Sequence, residues 1–351
     1  MTYVSKNTQT RVGVAGLGFG AAVHIPGFRL LDNVNIVVIA GSDKLKAKRI
    51  AGEFGIEGGV GGYQSILDFD VDVVSIALPP KFNFEAATFF LERKIPVICE
   101  KPISQNGSQA SRLLDLSEGV PNAVNFQFAE LNAFKMVKKI IEQQDLGAVN
   151  KIKIKWVTQS YANRNKLKNW KRSISESGGV ISLLATHVLY LLGWFISPVS
   201  ILESRLKTDG NEYTGRKWAE DTCTFQAKLE SGQDIEAFIC NNSQEKTLHE
   251  WIFHCENGSL VLKNQTDDYM SGFKVDIHRE NSEIVTKYTD AVCESNWDGR
   301  IQPFSSLTSR FLKSIEDEQI FHPSFYDAQI VQKCSDALFK SHFNKCSILL
   351  S

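Results

Sequence analysis

The sequence has no excess of either charge sign. Its 39 lysines and arginines stand against 40 aspartates and glutamates, which gives a formal net charge of −1. Proteins that bind nucleic acid usually carry a basic surface, so this balance argues against a nucleic-acid partner. Lysines are denser at 135–155 and 166–172, but few aromatic residues are interleaved there, and exposed helix and strand surfaces account for them.

The sequence also lacks a C-x-x-C pair. Its cysteines are odd in number and widely spaced, which predicts buried free thiols in a reducing compartment, and we expect a cytoplasmic protein. The N-terminal residues MTYVSKNTQT have no apolar stretch of the kind found in secretory signals. The seven cysteines are Cys99, Cys223, Cys240, Cys255, Cys293, Cys334 and Cys346.

Aspartate, glutamate, lysine and arginine are all absent from residues 178–202. This stretch is long enough to cross a bilayer, and a helix buried on all sides is the alternative. It contains His187, Gly193 and Pro198, and the chain has no second stretch like it. These features favour the buried helix, and we expect no membrane partner.

The first hundred residues alternate between short β-rich runs and longer helical patterns, which is typical of a parallel sheet built from βαβ units. Residues 58–62 (GGVGG) indicate a flexible turn before a weak strand. Helices are predicted at 21–31, 44–54, 82–93 and 107–118. Strands are predicted at 11–16, 34–40, 71–78, 95–99 and 123–128.

After about residue 130 the pattern changes to one helix (131–144) followed by strands without intervening helices, which indicates a mostly antiparallel, open sheet. The fold class is therefore α/β: a doubly wound Rossmann domain at 1–126 and an α+β domain at 127–351. Closing helices are predicted at 304–317 and 326–341. The strands of this part are predicted at 151–158, 200–207, 221–229, 233–240, 251–254 and 259–262.

A glycine-rich turn follows the first strand and opens the first helix. Gly16 permits the tight turn, Gly18 lets the backbone approach a diphosphate, and Ala21 allows close packing of helix on strand. Free N–H groups at the helix start would then bind the phosphates. A tight strand–helix turn without a ligand is the alternative, which the correct spacing of strand, helix and second strand disfavours. The predicted cofactor contacts in the turn are Gly16, Leu17, Gly18, Phe19, Gly20 and Ala21.

The tip of the second strand bears on the choice of dinucleotide. An acidic residue there would bind the ribose 2′-hydroxyl of NAD, but the tip position is Gly41, with Ser42 and Lys44 nearby. A missing carboxylate removes repulsion toward a 2′-phosphate, and Lys44 would attract one. Asp43, two residues after the tip, keeps NAD as an alternative cofactor. The prediction is therefore NADP or NAD, with a preference for NADP.

The string Glu100-Lys101-Pro102, directly after a buried strand, is the most specific signal in the chain. On this string and on several further motifs, the chain resembles the Gfo/Idh/MocA family of oxidoreductases. The further motifs are the glycine turn, residues 72–80, Ser177-Gly178-Gly179, His187 and residues 220–222. The resemblance covers nearly the whole length. It implies a Rossmann domain and a large open sheet that joins subunits into a homodimer or homotetramer. Substrates would be sugars, cyclitols or sugar nucleotides.

The resemblance also assigns roles to matched residues. Lys101 would lie beside the reacting oxygen, and His187 would transfer its proton; hydride transfer needs both, because an alkoxide-like oxygen develops or is consumed. The Lys101–Pro102 bond is expected to be cis. Further cofactor contacts would be Ser42, Lys44, Leu78, Pro79, Asn83, Glu100, Lys101, Gln127, Trp170 and Lys171. Substrate contacts would be Lys101, Tyr161, Arg164, His187 and Tyr190.

The chain departs from the family pattern beside His187. Leu183 and Tyr190 replace two carboxylates of the usual helix, and at α-helical spacing Leu183 would share a face with His187. This loss supports a second hypothesis, a dinucleotide-binding regulatory protein without turnover; an interaction module without cofactor is a third. His24 either faces the cleft or serves the end of its helix. The spacing of His249 and His254 does not suggest a metal site.

Overall fold

The computed structural model describes residues 9–268, 270–290 and 298–350. Two expectations concern residues outside these ranges: the expected lack of a secretory signal at residues 1–8 and the expected free thiol of Cys293. The chain forms two compact units, one of residues 1–127 and 296–329 and the other of residues 128–295 and 330–351. The junction lies next to the boundary expected at 126, whereas residues 296–329 belong with the first unit.

The first unit contains a six-stranded parallel sheet. Its strands are β1 (Thr10–Ala15), β2 (Val34–Gly41), β3 (Gly58–Gly61), β4 (Val73–Ile76), β5 (Val97–Cys99) and β6 (Asn122–Val124). They lie in the order β3-β2-β1-β4-β5-β6. The order reverses between β1 and β4, and in such sheets the crevice outside the carboxyl ends at this reversal is the usual ligand site.

The helices of the described residues lie mostly where the apolar periodicity predicts them, with ends shifted by one to three residues. One exception is the helix predicted at 21–31, which is a π-helical turn, Gly20–His24, followed by a short α-helix. Another is the short helix Tyr161–Arg164, which was not predicted. The α-helices are α1 (Ile25–Phe28), α2 (Lys44–Glu53), α3 (Pro80–Leu91), α4 (Gly107–Leu116), α5 (Asn132–Glu142), α6 (Tyr161–Arg164), α7 (Thr186–Phe195), α8 (Ile301–Glu316) and α9 (Phe325–Asn344).

Helix α8 packs on α1 in the core of the first unit. The Phe304 ring meets the Phe28 ring edge to face at 5.2 Å between centroids. A Cβ at Gly27 would come within 2.5 Å of the Phe304 ring, so the close approach of the two helices depends on that glycine. This packing explains why residues 296–329 belong with the first unit, although they follow the second sheet in the chain.

The second unit contains a ten-stranded sheet. Its strands are β7 (Val149–Val157), β8 (Val199–Thr208), β9 (Asn211–Glu212), β10 (Thr222–Leu229), β11 (Asp234–Cys240), β12 (Leu248–Cys255), β13 (Gly258–Asn264), β14 (Lys274–His278), β15 (Val285–Thr289) and β16 (Ile348–Leu349). They lie in the order β15-β14-β13-β12-β7-β11-β10-β8-β16, with β9 paired to β8. Along β8 and β10, inward residues are buried and outward residues are more exposed, as for a sheet with one face on a core.

The fold class predicted from the sequence is confirmed, with local differences. The pairing of β7 with β11 is parallel, inside a sheet that is otherwise antiparallel. The GGVGG run does not form a flexible turn, because its first four residues pair with β2 as strand β3. Strands β14 and β15 were not predicted.

The uncharged stretch 178–202 contains a π-helical turn, Ile181–Ala185, then α7 and the start of β8. The helix is therefore interrupted and short. In the part of the chain that the structure describes, no helix is long and apolar enough to cross a membrane.

The described cysteines are all unpaired, and most are buried as expected. Cys346 is exposed, which differs from the expectation of burial.

Candidate active site

The glycine turn is tight on one side and open on the other. Gly16 has φ +132°, and a Cβ there would come within 2.3 Å of the Ala77 carbonyl oxygen, so only glycine fits. At Gly20 a Cβ would lie 3.0 Å from Val14 Cγ1. At Gly18, by contrast, a Cβ would meet nothing within 4 Å. The turn therefore leaves open space beside Gly18, as a bound diphosphate requires.

The helix start after this turn is wound as a π turn, Gly20–His24, and the Ala22 N–H donates to the Gly18 carbonyl oxygen at 3.0 Å. The first N–H groups of any helix have no acceptor within the helix, and they carry a partial positive charge. Together with the space at Gly18, they fit a dinucleotide diphosphate.

The tip of β2 carries no carboxylate aimed along the strand. The Leu17 side chain lies against Gly41, where a Cβ would come within 2.3 Å of Leu17 Cγ. Asp43 begins α2, and its carboxylate accepts a hydrogen bond from the Lys46 N–H at 3.0 Å. Ser42 and Lys44 are exposed. Asp43, the acidic residue that kept NAD as an alternative to NADP, thus caps the start of α2.

The Glu100-Lys101-Pro102 corner follows β5, and its Lys101–Pro102 bond is cis, as expected. The Glu100 N–H donates to the Ile76 carbonyl oxygen at 2.8 Å, which ties the corner to β4. The Glu100 carboxylate oxygen Oε1 accepts from Asn125 Nδ2 at 2.5 Å. Lys101 itself is half-buried.

Asn83 ties the loop after β4 to this corner. Its Oδ1 accepts from the Leu78 N–H, and its Nδ2 lies within hydrogen-bonding distance of the Glu100 and Pro102 carbonyl oxygens, all at 3.0 Å. The side chain is fully buried. Asn83, which the resemblance expects at the cofactor site, therefore holds the Leu78–Pro79 segment and the Glu100–Pro102 corner together.

His24 links the glycine-turn helix to the same corner. It is fully buried, with Nδ1 at 2.8 Å from Ser75 Oγ and Nε2 at 3.1 Å from Glu100 Oε1. Its ring stacks on the Phe304 ring at 4.0 Å. His24 thus ends the π turn, as one of its two expected roles required, and its ring also contacts the Glu100 carboxylate next to Lys101.

The expected site residues of the first unit all follow the carboxyl ends of its parallel strands. Gln127 follows β6, is buried, and has Oε1 at 3.4 Å from Asn125 Nδ2. Because these ends share one edge of the sheet, the glycine turn, Ser42, Lys44, the Leu78–Pro79 segment and the Glu100–Lys101 corner lie along it. This edge is the candidate cofactor site.

In the second unit, His187 is buried on α7, directly after the π turn Ile181–Ala185. Its ring meets the Phe128 ring edge to face at 4.9 Å. Hydrogen bonds in a π turn join residues five apart instead of four. The turn therefore interrupts the α-helical spacing on which the expected placement of Leu183 beside His187 was based.

Glu220 fixes the start of this helix. Its Oε1 accepts from the Ile181 N–H at 3.0 Å. Gly179, with φ +102°, makes room for the carboxylate, since a Cβ there would come within 2.2 Å of Glu220 Oε1. Burial raises the pKa of Glu220 to about 8, against the opposing effect of the Ile181 hydrogen bond. The acid is therefore largely neutral at pH 7.

Trp170 and Lys171 pack by their backbone against the same helix start. The Gly179 N–H donates to the Lys171 carbonyl oxygen at 2.9 Å, and a Cβ at Gly178 would come within 2.3 Å of the Trp170 carbonyl oxygen. Tyr190, on α7, is buried. The other two expected substrate residues are on α6: Tyr161 is exposed, and Arg164 Nε donates to Gln159 Oε1 at 3.2 Å.

The sequence is matched along most of its length by two family models. One, described as an oxidoreductase family with an NAD-binding Rossmann fold, matches residues 10–128. The other, the C-terminal alpha/beta domain of the same family, matches residues 138–349. The chain belongs to the Gfo/Idh/MocA oxidoreductase family. The resemblance expected from the Glu100-Lys101-Pro102 corner is thereby confirmed.

Relatives within this family include proteins named for sugar substrates. An uncharacterized oxidoreductase of Synechocystis is 26% identical over 97% of this chain and 96% of its own. Levoglucosan dehydrogenase of Pseudarthrobacter phenanthrenivorans is 27% identical, over 49% of this chain and 45% of its own. A solved levoglucosan dehydrogenase in complex with NADH has a TM-score of 0.86 at 21% identity, over 98% of this chain and 100% of its own. This last likeness shows the fold.

Sequence reasoning missed a buried histidine near His187 in this Gfo/Idh/MocA chain. His249 stacks on Trp156 at 4.0 Å, and its Nε2 accepts from Trp251 Nε1 at 2.9 Å. Burial lowers the pKa of His249 to about 3, so it stays neutral. The alternation of β12 signals an inward side chain at this position, but it does not reveal the aromatic partners. Among the described residues, no three His, Cys, Asp or Glu side chains could hold a metal ion together.

Proposed function

We propose that the protein is an NAD(P)-dependent oxidoreductase that acts on a CH–OH group of a sugar, cyclitol or sugar nucleotide. The observation that carries this proposal is the arrangement at one sheet edge, where the open glycine turn after β1 and the lysine corner after β5 flank β4. Relatives named for sugar substrates support the substrate class.

The chemistry of the proposed reaction divides between cofactor and side chains. A bound nicotinamide supplies the hydride acceptor, or the hydride donor in reverse. The Lys101 ammonium group stabilises the negative charge that develops on the substrate oxygen. His187 takes the hydroxyl proton in the oxidation and returns it in the reduction.

We propose that the remaining expected residues of the second unit hold the substrate and the outer part of the cofactor. Tyr161, Arg164 and Tyr190 offer hydroxyl and guanidinium groups suited to sugar hydroxyls and phosphates. Trp170 and Lys171 would contact the cofactor from the turn that packs on the start of the His187 helix.

The cofactor preference that we propose is for NADP over NAD. Gly41 leaves the strand tip without a carboxylate, and Asp43 is engaged at the start of α2. Lys44 is exposed and close in sequence, so it can pair with a 2′-phosphate. A dissociation constant for NADPH equal to or weaker than that for NADH would contradict this preference.

Lys101→Ala tests the proposed activity. We expect kcat with ketosugars and NADPH to fall by about 10²–10³-fold, the usual loss for one group that stabilises a reacting oxygen. The dissociation constant of NADPH should stay within about twofold. Lys48→Ala, which removes an exposed lysine of α2 in the same unit, is the matched control. Wild-type rates in Lys101→Ala would refute the assignment.

A dinucleotide-binding regulator without turnover is the second candidate. The observation that favours it is Leu183, which replaces a carboxylate of the family pattern on the segment that precedes His187. The same assays separate the two functions. Tight NADPH binding by the wild-type protein without turnover of any substrate in a broad sugar panel would support the regulator and contradict the enzyme.

We propose that the outer face of the ten-stranded sheet joins subunits into a homodimer or homotetramer. This face carries Phe238, which is 38% exposed, among ion pairs such as Lys151 with Glu236. Native mass spectrometry would count the subunits, and a monomer at micromolar concentration would contradict the proposal.

A further inference from the structure

An arginine side chain contacts the aromatic residue of the glycine turn. Arg300 directly precedes α8, and its guanidinium carbon is 4.8 Å from the centroid of the Phe19 ring. Phe19 belongs to the turn itself, between Gly18 and Gly20. Both residues lie in the first unit, so this cation–π contact places a positive charge beside the ring of a residue of the candidate diphosphate turn.

Arg300 is held there by its neighbour Asp298. Its Nε donates to Asp298 Oδ1 at 2.7 Å, and its Nη2 donates to Oδ2. The Arg300 backbone N–H also donates to Oδ1 at 3.1 Å. Although burial opposes it, hydrogen bonding from Arg300 lowers the pKa of Asp298, so this acid is ionised at neutral pH. The fork of Arg300 is thus occupied by a carboxylate, which has the bidentate geometry that phosphate oxygens also offer.

The position of Arg300 is fixed by packing behind it. Phe304, one turn further along α8, stacks on His24 at 4.0 Å, and His24 meets Phe19 edge to face at 5.4 Å. The start of α8 therefore packs on the glycine-turn helix through Phe304 and His24, and Arg300 contacts Phe19 directly. The side chains of Arg300 and Asp298 remain 29% and 28% exposed, so solvent and a ligand can reach the pair.

We propose that Arg300 is a dinucleotide-binding residue, whose guanidinium group exchanges the Asp298 carboxylate for a diphosphate oxygen of the cofactor. This inference rests on the proposed dinucleotide binding and adds to it a residue outside the glycine turn. Asp298 has the opposite effect on affinity, because its carboxylate competes with the diphosphate for the same fork and repels it.

Titration of the purified protein with NADPH and with NADH, followed by cofactor fluorescence, tests the inference. Arg300→Gln should raise both dissociation constants by a similar factor, about 10- to 100-fold, because both dinucleotides carry the diphosphate. Asp298→Asn should leave them unchanged or lower them a few-fold. Arg310→Gln, which removes a similar cation–π contact on Phe321 at 4.8 Å, is the matched control and should change neither constant.

Four outcomes would overturn the inference. Arg300→Gln that binds like the wild type removes the contact, while the proposed function stands. A loss confined to NADPH would assign Arg300 to the 2′-phosphate instead. Equal weakening by Asp298→Asn and Arg300→Gln would mean that the pair is only structural. A wild-type protein that binds neither dinucleotide would contradict both the inference and the proposed function. If Arg300→Gln does not fold, Arg300→Lys, which keeps the charge and loses the fork, should still weaken binding measurably.

Discussion

Glu220 is an acid that holds its proton under ordinary conditions. Its pKa is about 8 in the folded protein, well above its usual value of 4.5. Between these two values the folded state keeps a proton that the unfolded state releases. The stability contributed by this group is therefore fully present below about pH 4.5 and is lost as the pH rises through about 8.

His249 has the opposite dependence on pH. Its pKa is lowered by burial to about 3, so the unfolded state takes up a proton below about pH 6.5 while the folded state does not. Its contribution is present above pH 6.5 and is lost as the pH falls. The two groups offset each other between about pH 4.5 and 6.5, and Glu220 acts without this counterpart between 6.5 and 8.

Glu220→Gln should therefore flatten the pH dependence of stability. We expect the free energy of unfolding of the wild-type protein to fall between pH 6.5 and 8 more steeply than that of the variant, by up to ~1.4 kcal/mol per pH unit. Urea denaturation at three pH values measures this difference. Glu118→Gln, at an exposed acid, is the control and should keep the wild-type slope. Identical slopes in the wild type and Glu220→Gln would contradict the account.

Single residues were predictable where the requirement was local. The backbone freedom at Gly16 follows from the glycine string itself, and the cis bond at Lys101–Pro102 was implied by the family resemblance of that corner. The roles of Glu220 and His249 did not follow, because their properties come from burial by segments far away in sequence. Ile181 lies 39 residues before Glu220, for example.

At the scale of elements, π-helical turns begin both helices that bear the candidate histidines, His24 and His187. Such turns occur frequently at functional sites. The hydrogen bonds of a π turn join residues five apart, and those of an α turn join residues four apart. Apolar periodicity cannot resolve this difference of one residue in a helix buried on all sides. The sequence therefore predicted these helices but not the phase with which their side chains face the site.

Asn83 links the loop after β4 to the corner after β5, and we expect the loss of this link to lower the free energy of unfolding more than the loss of any other described link between elements. Asn83→Ala removes hydrogen bonds to the Leu78 N–H and to the Glu100 and Pro102 carbonyl oxygens, and leaves these buried and half-buried groups without that partner. We expect the free energy of unfolding to fall by about 2–4 kcal/mol, measured by urea denaturation. Asn165→Ala removes one exposed hydrogen bond and is the control, with an expected loss below about 0.5 kcal/mol. A similar small loss in both variants would contradict the link.

Strands that depend on partners were hardest to predict. Strand β3 is rich in glycine, which has low strand propensity, and it forms because it pairs with β2 at the sheet edge. Strands β14 and β15 add to the edge of the second sheet by the same means. Pairing between strands is non-local, so short or glycine-rich segments carry little signal of their own.

At the scale of the whole molecule, the sequence predicted both sheets and the order in which they occur. It did not predict that residues 296–329 return to the first unit, where α8 packs on the glycine-turn helix. That return places Arg300 over Phe19, and no local pattern signals it. The fold class thus follows from periodicity, whereas the surroundings of the candidate cofactor site depend on contacts between distant segments.

The measurement that tests the central claim most directly is the affinity of Gly18→Val for NADPH. A Cβ at Gly18 meets no protein atom within 4 Å, so the variant should fold with an unchanged melting temperature, yet its side chain would occupy the space required by the diphosphate. Gly52→Val, at another glycine with open surroundings in the same unit, is the control. We predict that calorimetric titration detects NADPH binding by the wild type and Gly52→Val and none by Gly18→Val. Equal affinity in all three proteins would contradict the account.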